Sequence, residues 1–124
     1  MPKIPNSKPR AFGNVEKFVE PCILLLLSKD SSHGYGLMDG LEKHCGQKVD
    51  IGNLYRTLRK MEKNKWIVSG WQKNSIGPDK RTYRITSDGK TVLHGAVFSL
   101  TKTHSLLSKF LLGYKKTFRK GVAL

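Results

Sequence analysis

The chain has 124 residues, 38% of them apolar and 26% charged, which suits one soluble globular domain and is too short for two full cores. Twenty-three Lys and Arg against nine Asp and Glu give a net charge of +14. That excess favours a polyanionic partner, nucleic acid above all, although an anionic membrane surface or a ribosome would satisfy the same number. The longest early apolar run, Ile23–Leu27, is far short of the ~20 residues that span a bilayer, so no membrane partner is expected.

In chain order, residues 1–14 hold three prolines and three cations with no acid, and read as a flexible basic arm. No apolar segment of the kind a signal peptide needs follows this start, so a cytoplasmic location is expected. Pro21 is tolerated only in the first turn of a helix, which places the start of the first helix near Glu20, with Phe18 and Val19 in a lead-in segment. Ser31 and Ser32 are N-cap candidates for a second helix over Tyr35–His44, with Leu37, Met38 and Leu41 inward and Gly46 as the stop signal. Cys22 and Cys45 lie in no paired spacing, which excludes a zinc ribbon or CxxC redox pair and fits a reducing compartment. Cys22 reads as buried filler, and Cys45 as a thiol with a minor redox reading.

Asp50 can cap a third helix, GNLYRTLRKMEK. With Leu54 at zero on a helical wheel, Ile51, Leu58 and Met61 lie within about 60° of it, while Arg56, Arg59, Lys60 and Lys63 cluster about the opposite pole. A helix pinned on one side and cationic on the other, preceded by a short helix and a tight joint, is a helix-turn-helix pattern. The bland alternative is a solvated charged face.

After Trp66 the periodicity changes. WIVSGWQ and RTYRIT are β-rich runs, the second with Tyr83 and Ile85 on one face, and Gly77-Pro78 marks the turn between them. Three helices followed by a two-stranded hairpin is the order of a winged helix. From Asp88 the pattern is helical again. Leu93, Val97, Leu100, His104, Leu107, Leu111, Tyr114 and Phe118 recur at alternating steps of four and three, a heptad seam that points to self-association. The competing reading packs this helix back on its own domain. Gly95 and Gly113 each weaken it by about 1 kcal/mol, so bending or fraying is expected there. His104 reads as a satisfied interface residue. Lys102, Lys109, Lys115, Lys116, Arg119 and Lys120 cover its other faces, and no acid follows Asp88.

The stretches FVEPCILLLLSKDSSHGYGLMDGLEKH, GNLYRTLRKMEKNKWI and GPDKRTYRITSDGK stand in an order and spacing that resemble the PadR family of transcriptional regulators over about residues 17–118. The resemblance implies a mainly α chain with a small β-hairpin: a winged helix-turn-helix over 15–87 and a C-terminal dimerisation helix over 88–120. It implies a homodimer that binds double-stranded DNA, commonly as a repressor. By that likeness Asn53, Tyr55 and Arg56 approach DNA, Lys80 and Arg81 form the basic part of the wing, and His33 and Tyr35 serve packing. Some relatives respond to small aromatic compounds near the dimer interface, but no motif here places such an effector. The chain departs from the family in its cationic terminal helix and in Lys63-Asn64-Lys65, where members often carry EEG.

No cofactor, metal-spaced cluster, nucleophile–base pair or phosphate loop is found, so an enzyme is not expected; Asp39 and Glu42 have the spacing of an ordinary solvent face. A winged-helix domain for RNA or ribosome binding, or a protein–protein adaptor, are the competing functions.

Overall fold

The computed structural model describes residues 17–73 and 76–119; the basic arm expected over 1–14 lies outside them. The elements follow as α1 (Val19–Lys29), β1 (Ser32–His33), α2 (Gly34–Cys45), α3 (Ile51–Lys63), β2 (Ile67–Gln72), β3 (Lys80–Ile85) and α4 (Ser87–Thr117). The architecture is mainly helical with a small antiparallel sheet, as the sequence implies, and it has one strand more than expected. β1 pairs with β3 through Ser32 opposite Tyr83 and His33 opposite Thr82, giving a three-stranded sheet in the order β1-β3-β2. A two-residue strand has no periodicity to read, and its pairing is visible only once β3 is in place.

Helix α1 starts at Val19, one residue before the expected point, with Pro21 inside its first turn. Its Cys22, Ile23, Leu24 and Leu27 are buried, whereas Leu25 is 45% exposed. Neither Ser31 nor Ser32 caps α2. The His33 ring does so, with Nδ1 accepting from the Gly36 N–H at 3.3 Å, because α2 begins at Gly34 and His33 is the residue that precedes it. At the other end Gly46 adopts φ 63°, the left-handed turn that glycine enters without steric cost.

The core is one cluster. Ile23, Leu24 and Leu27 of α1 meet Leu37 and Leu41 of α2 and Leu54, Leu58 and Met61 of α3, with Ile67, Tyr83 and Leu93 closing it. The apolar stripe of α3 is thus the side that fastens it, as its wheel requires; Ile51 at its start is only partly covered. Fully burying each such side chain contributes about 1.5–3 kcal/mol.

The end of α3 is tied to the start of α4. Lys65 takes φ 65° as the chain leaves α3, and the Trp66 N–H closes the helix onto the Met61 carbonyl at 3.0 Å. The Thr86 hydroxyl then donates towards the carbonyls of Lys65 and Trp66 at 2.7 and 2.9 Å, and accepts from the Gly89 N–H at 3.0 Å. One side chain therefore caps α4 and holds it against the end of α3. Helix α4 runs unbroken through both Gly95 and Gly113 and spans about 46 Å at 1.5 Å per residue. Leu93 is buried in the domain core, and residues 101–119 are all exposed, so the second half of the helix does not pack back on its own domain.

Candidate nucleic-acid interface

The first turn of α3 carries an ordered chain of polar groups. Asp50 caps the helix through Oδ1, which accepts from the Asn53 N–H at 2.8 Å. Its second oxygen, Oδ2, accepts from Asn53 Nδ2 at 2.9 Å, and Asn53 Oδ1 in turn accepts from Arg56 Nη2 at 2.9 Å. A carboxylate can only accept and a guanidinium can only donate, so this chain fixes which way the amide faces. Asn53 and Arg56 are both exposed and both held in place. Beyond these bonds each keeps further donors, one on the amide and four on the guanidinium.

Beyond Arg56 the cationic face divides. Arg59 and Lys63 are exposed. Lys60 is not simply one of that set: its ammonium lies 3.6 Å from Oε2 of Glu20 on α1, and the Glu20 side chain is only 14% exposed. The wheel puts Lys60 in the cationic arc, and the mostly covered Glu20 carboxylate meets it there. Lys60 therefore acts first as a fastener between α3 and α1.

Arg81 is a fastener as well. Its Nη2 lies 3.7 Å from Glu62 Oε1, and its Nε donates to Ser69 Oγ at 3.1 Å. Ser69 donates onward to Glu62 Oε2 at 2.6 Å. The guanidinium also sits 5.7 Å from the ring centre of Trp71, its cross-strand partner. These contacts lock the β2–β3 hairpin to α3. Lys80, opposite Gln72 at the outer end of the hairpin, is exposed.

Tyr55 is the third residue of α3 that the resemblance brings near DNA. It is half-buried against the core, and its ring lies where any side chain at Gly34 would have to go. Only glycine at 34 lets α2 begin so close to α3. Tyr55 positions α3, and its edge lines a concavity of about 460 Å³ between α2, α3 and the hairpin. His33, Gly34, Tyr35, Trp71, Asp79, Lys80 and Arg81 line the rest.

Two aromatic members of this surface were not legible as such. Trp71 alternates with Ile67 and Ser69 and by parity should face the core, yet it is 68% exposed because the hairpin outruns the domain beneath it. Tyr35, read as a packing residue, is 61% exposed.

The terminal seam also divides. Leu93 belongs to the domain's own core and Leu100 is partly covered, while Val97, His104, Leu107, Leu111, Tyr114 and Phe118 are exposed. Tyr114 and Phe118 face each other with ring centres 4.9 Å apart. Phe98, Leu106, Phe110 and Leu112 are exposed too, so the apolar surface of α4 is wider than the heptad seam. Among the described residues no helix is long and apolar enough to cross a membrane.

Comparison with known proteins agrees with this geometry. Residues 23–95, more than half of the chain, match the family model described as the transcriptional regulator PadR-like family. A probable transcriptional regulator of Mycobacterium tuberculosis is 33% identical over 73 residues, which cover 57% of this chain and 39% of that protein; the chain thus spans about two fifths of the relative's length. The crystal structure of a PadR-like transcriptional regulator from Bacillus cereus is 31% identical, with a TM-score of 0.68, covering 75% of this chain and 90% of that one. Bacillus subtilis PadR in complex with operator DNA shares the fold, with a TM-score of 0.61 at 19% identity, covering 86% of this chain and 73% of that one. A pinned, capped and cationic third helix beside a basic hairpin, carried by a sequence that fits this family model, establishes that the chain belongs to the PadR-like family of transcriptional regulators.

Proposed function

We propose that the protein is a homodimeric, sequence-specific DNA-binding repressor acting in the cytoplasm on a pseudo-palindromic operator. The region 15–87 is the DNA-binding domain and 88–120 the dimerisation helix, with the arm 1–14 adding charge. In this reading α3 enters the major groove and the hairpin lies along the neighbouring backbone. Arg59, Lys63 and Lys80 contact phosphate, which positions the protein without reading sequence. Arg56 pairs with guanine and Asn53 with adenine or a neighbouring base edge, the pairings that their donor and acceptor patterns match.

The observation that carries the reading is the Asp50–Asn53–Arg56 chain, which holds two polar side chains in fixed orientation on the exposed side of a helix pinned by Leu54, Leu58 and Met61. The operator complex of the Bacillus subtilis relative supports it by likeness of fold. The second chain is supplied through the exposed apolar side of α4. A dimer places two α3 helices about one duplex turn apart, and occupancy at a promoter then excludes polymerase.

The test is selection of bound sequences from a random duplex pool, followed by anisotropy titration of the winner against shuffled duplex and structured RNA. A two-fold-symmetric consensus bound at least tenfold more tightly than either competitor is expected. Equal affinity for all three would favour an RNA-binding or purely electrostatic role. No binding at low salt would favour an adaptor.

A further inference from the structure

The chain's two cysteines, 23 positions apart in sequence, line the same groove. Cys22 faces inward from the first turn of α1 and is 4% exposed; Cys45 is the last residue of α2 and is half-buried. Both are free thiols. Both line a groove of about 340 Å³ whose other walls include Phe18, Leu25, Leu93 and Val97. Burial, and then the influence of the Cys45 thiol, pushes the Cys22 thiol up to about 12. Cys22 is therefore inert towards reagents in solution, and chemistry must begin at its more accessible neighbour.

We infer that Cys22 and Cys45 form a dithiol site that a small peroxide entering the groove closes to an intrachain disulfide between α1 and α2. The Cys45 thiolate sulfur attacks one peroxide oxygen; the O–O bond breaks and hydroxide leaves, taking up the proton that Cys45 had released. Cys45 is then a sulfenic acid in the same groove as the Cys22 thiol. The Cys22 sulfur attacks the Cys45 sulfur, the S–S bond forms as the S–O bond breaks, and the departing hydroxide leaves as water with the Cys22 proton. Two thiols and one hydrogen peroxide give one disulfide and two waters, with two electrons passing from sulfur to oxygen. The high local concentration of one thiol at the other favours this closure over capture by a second chain, even though Cys22 itself stays protonated until the attack. The bond ties the two helices directly beneath Leu93 and Val97, where α4 leaves the domain.

The test uses the full chain, folded and reduced, treated with hydrogen peroxide, then denatured and alkylated before intact-mass and peptide analysis. The expected result is loss of both alkylation sites in a monomeric species lighter by two hydrogens, a linked Cys22–Cys45 peptide pair, and full recovery with dithiothreitol. The Cys45→Ser variant should leave Cys22 alkylatable after the same treatment. Three results would overturn the inference: both cysteines still alkylated in the oxidised wild type, a disulfide joining two chains, or Cys22 protected in Cys45→Ser. The wild-type mass measurement decides the matter even if a variant folds poorly.

Discussion

Arg56 donates from Nη2 to Oδ1 of Asn53 at 2.9 Å, one turn earlier on the same face of α3. The bond holds a long, exposed side chain whose freedom would otherwise be lost on binding, at a cost of up to about 2 kcal/mol. Under the proposed function, Arg56→Ala weakens the selected duplex by about 1–3 kcal/mol and changes shuffled duplex far less. Asn53→Ala acts partly through Arg56, so the double variant falls short of the sum of the two single losses. Anisotropy titrations of the three variants against both duplexes measure this. Strict additivity would mean that the two side chains act separately.

Lys60 and Lys63 are neighbouring cations with different expected phenotypes. Lys63→Ala lowers the slope of log affinity against log salt by about one unit and leaves stability unchanged. Lys60→Ala keeps the slope but costs roughly 0.5–1.5 kcal/mol of folding stability, because it leaves the mostly covered Glu20 carboxylate without its cation. Urea denaturation and salt-series binding on the same preparations separate the two.

Lys65 occupies φ 65°, where a side chain is strained and glycine is not. Lys65→Gly should therefore raise stability by about 0.5–1 kcal/mol, the relief exceeding the added freedom of the unfolded chain. A rightward shift of the urea midpoint with unchanged slope is the expected readout. A leftward shift would place the strain elsewhere.

On α4, the paired change Leu107→Glu with Leu111→Glu falls in the exposed half of the helix. If that half joins two chains, the pair converts a dimer to a monomer in sedimentation velocity while near-UV signals from the core persist. An unchanged sedimentation coefficient would refute the assignment.

Stability should fall at alkaline pH. The Cys22 thiol titrates from the ordinary 9.0 in the unfolded chain to about 12 in the folded one, so the unfolded chain releases its proton first. Stability from this group is whole below pH 9 and is lost progressively towards pH 12. The buried Tyr83 phenol, also raised chiefly by burial, adds a decline of the same sign. Thermal midpoints of Cys22→Ala should fall less steeply over that window than those of the wild type.

Much of this arrangement was legible in the sequence, and the illegible parts share a cause. The stripe Leu54, Leu58, Met61, the Asp50 cap and the Gly46 stop all depend on local spacing, and each appears where the spacing puts it. The partners of Lys60 and Arg81 do not: Glu20 lies forty positions from Lys60, and the Glu62–Ser69–Arg81 bridge requires the hairpin to be folded on α3. Helical wheels assign a direction to a cation and say nothing of what waits there. Leu93 shows the same limit, since a heptad count cannot tell where a helix stops touching its own domain. That Cys22 and Cys45 line one groove depends on how α1 packs on α2, which no spacing encodes.

Strand β1 has a larger effect than its two residues suggest. It hangs the start of α2 on β3, while Ser69 of β2 and Arg81 of β3 brace the hairpin against Glu62 of α3. The hairpin and the third helix are thereby set like the jaws of a caliper at one opening. Under the proposed function, the duplex must bring its grooves to that gauge. Groove width and supercoiling would then enter the affinity at base pairs no side chain touches, with overwound and underwound copies of one operator bound unequally.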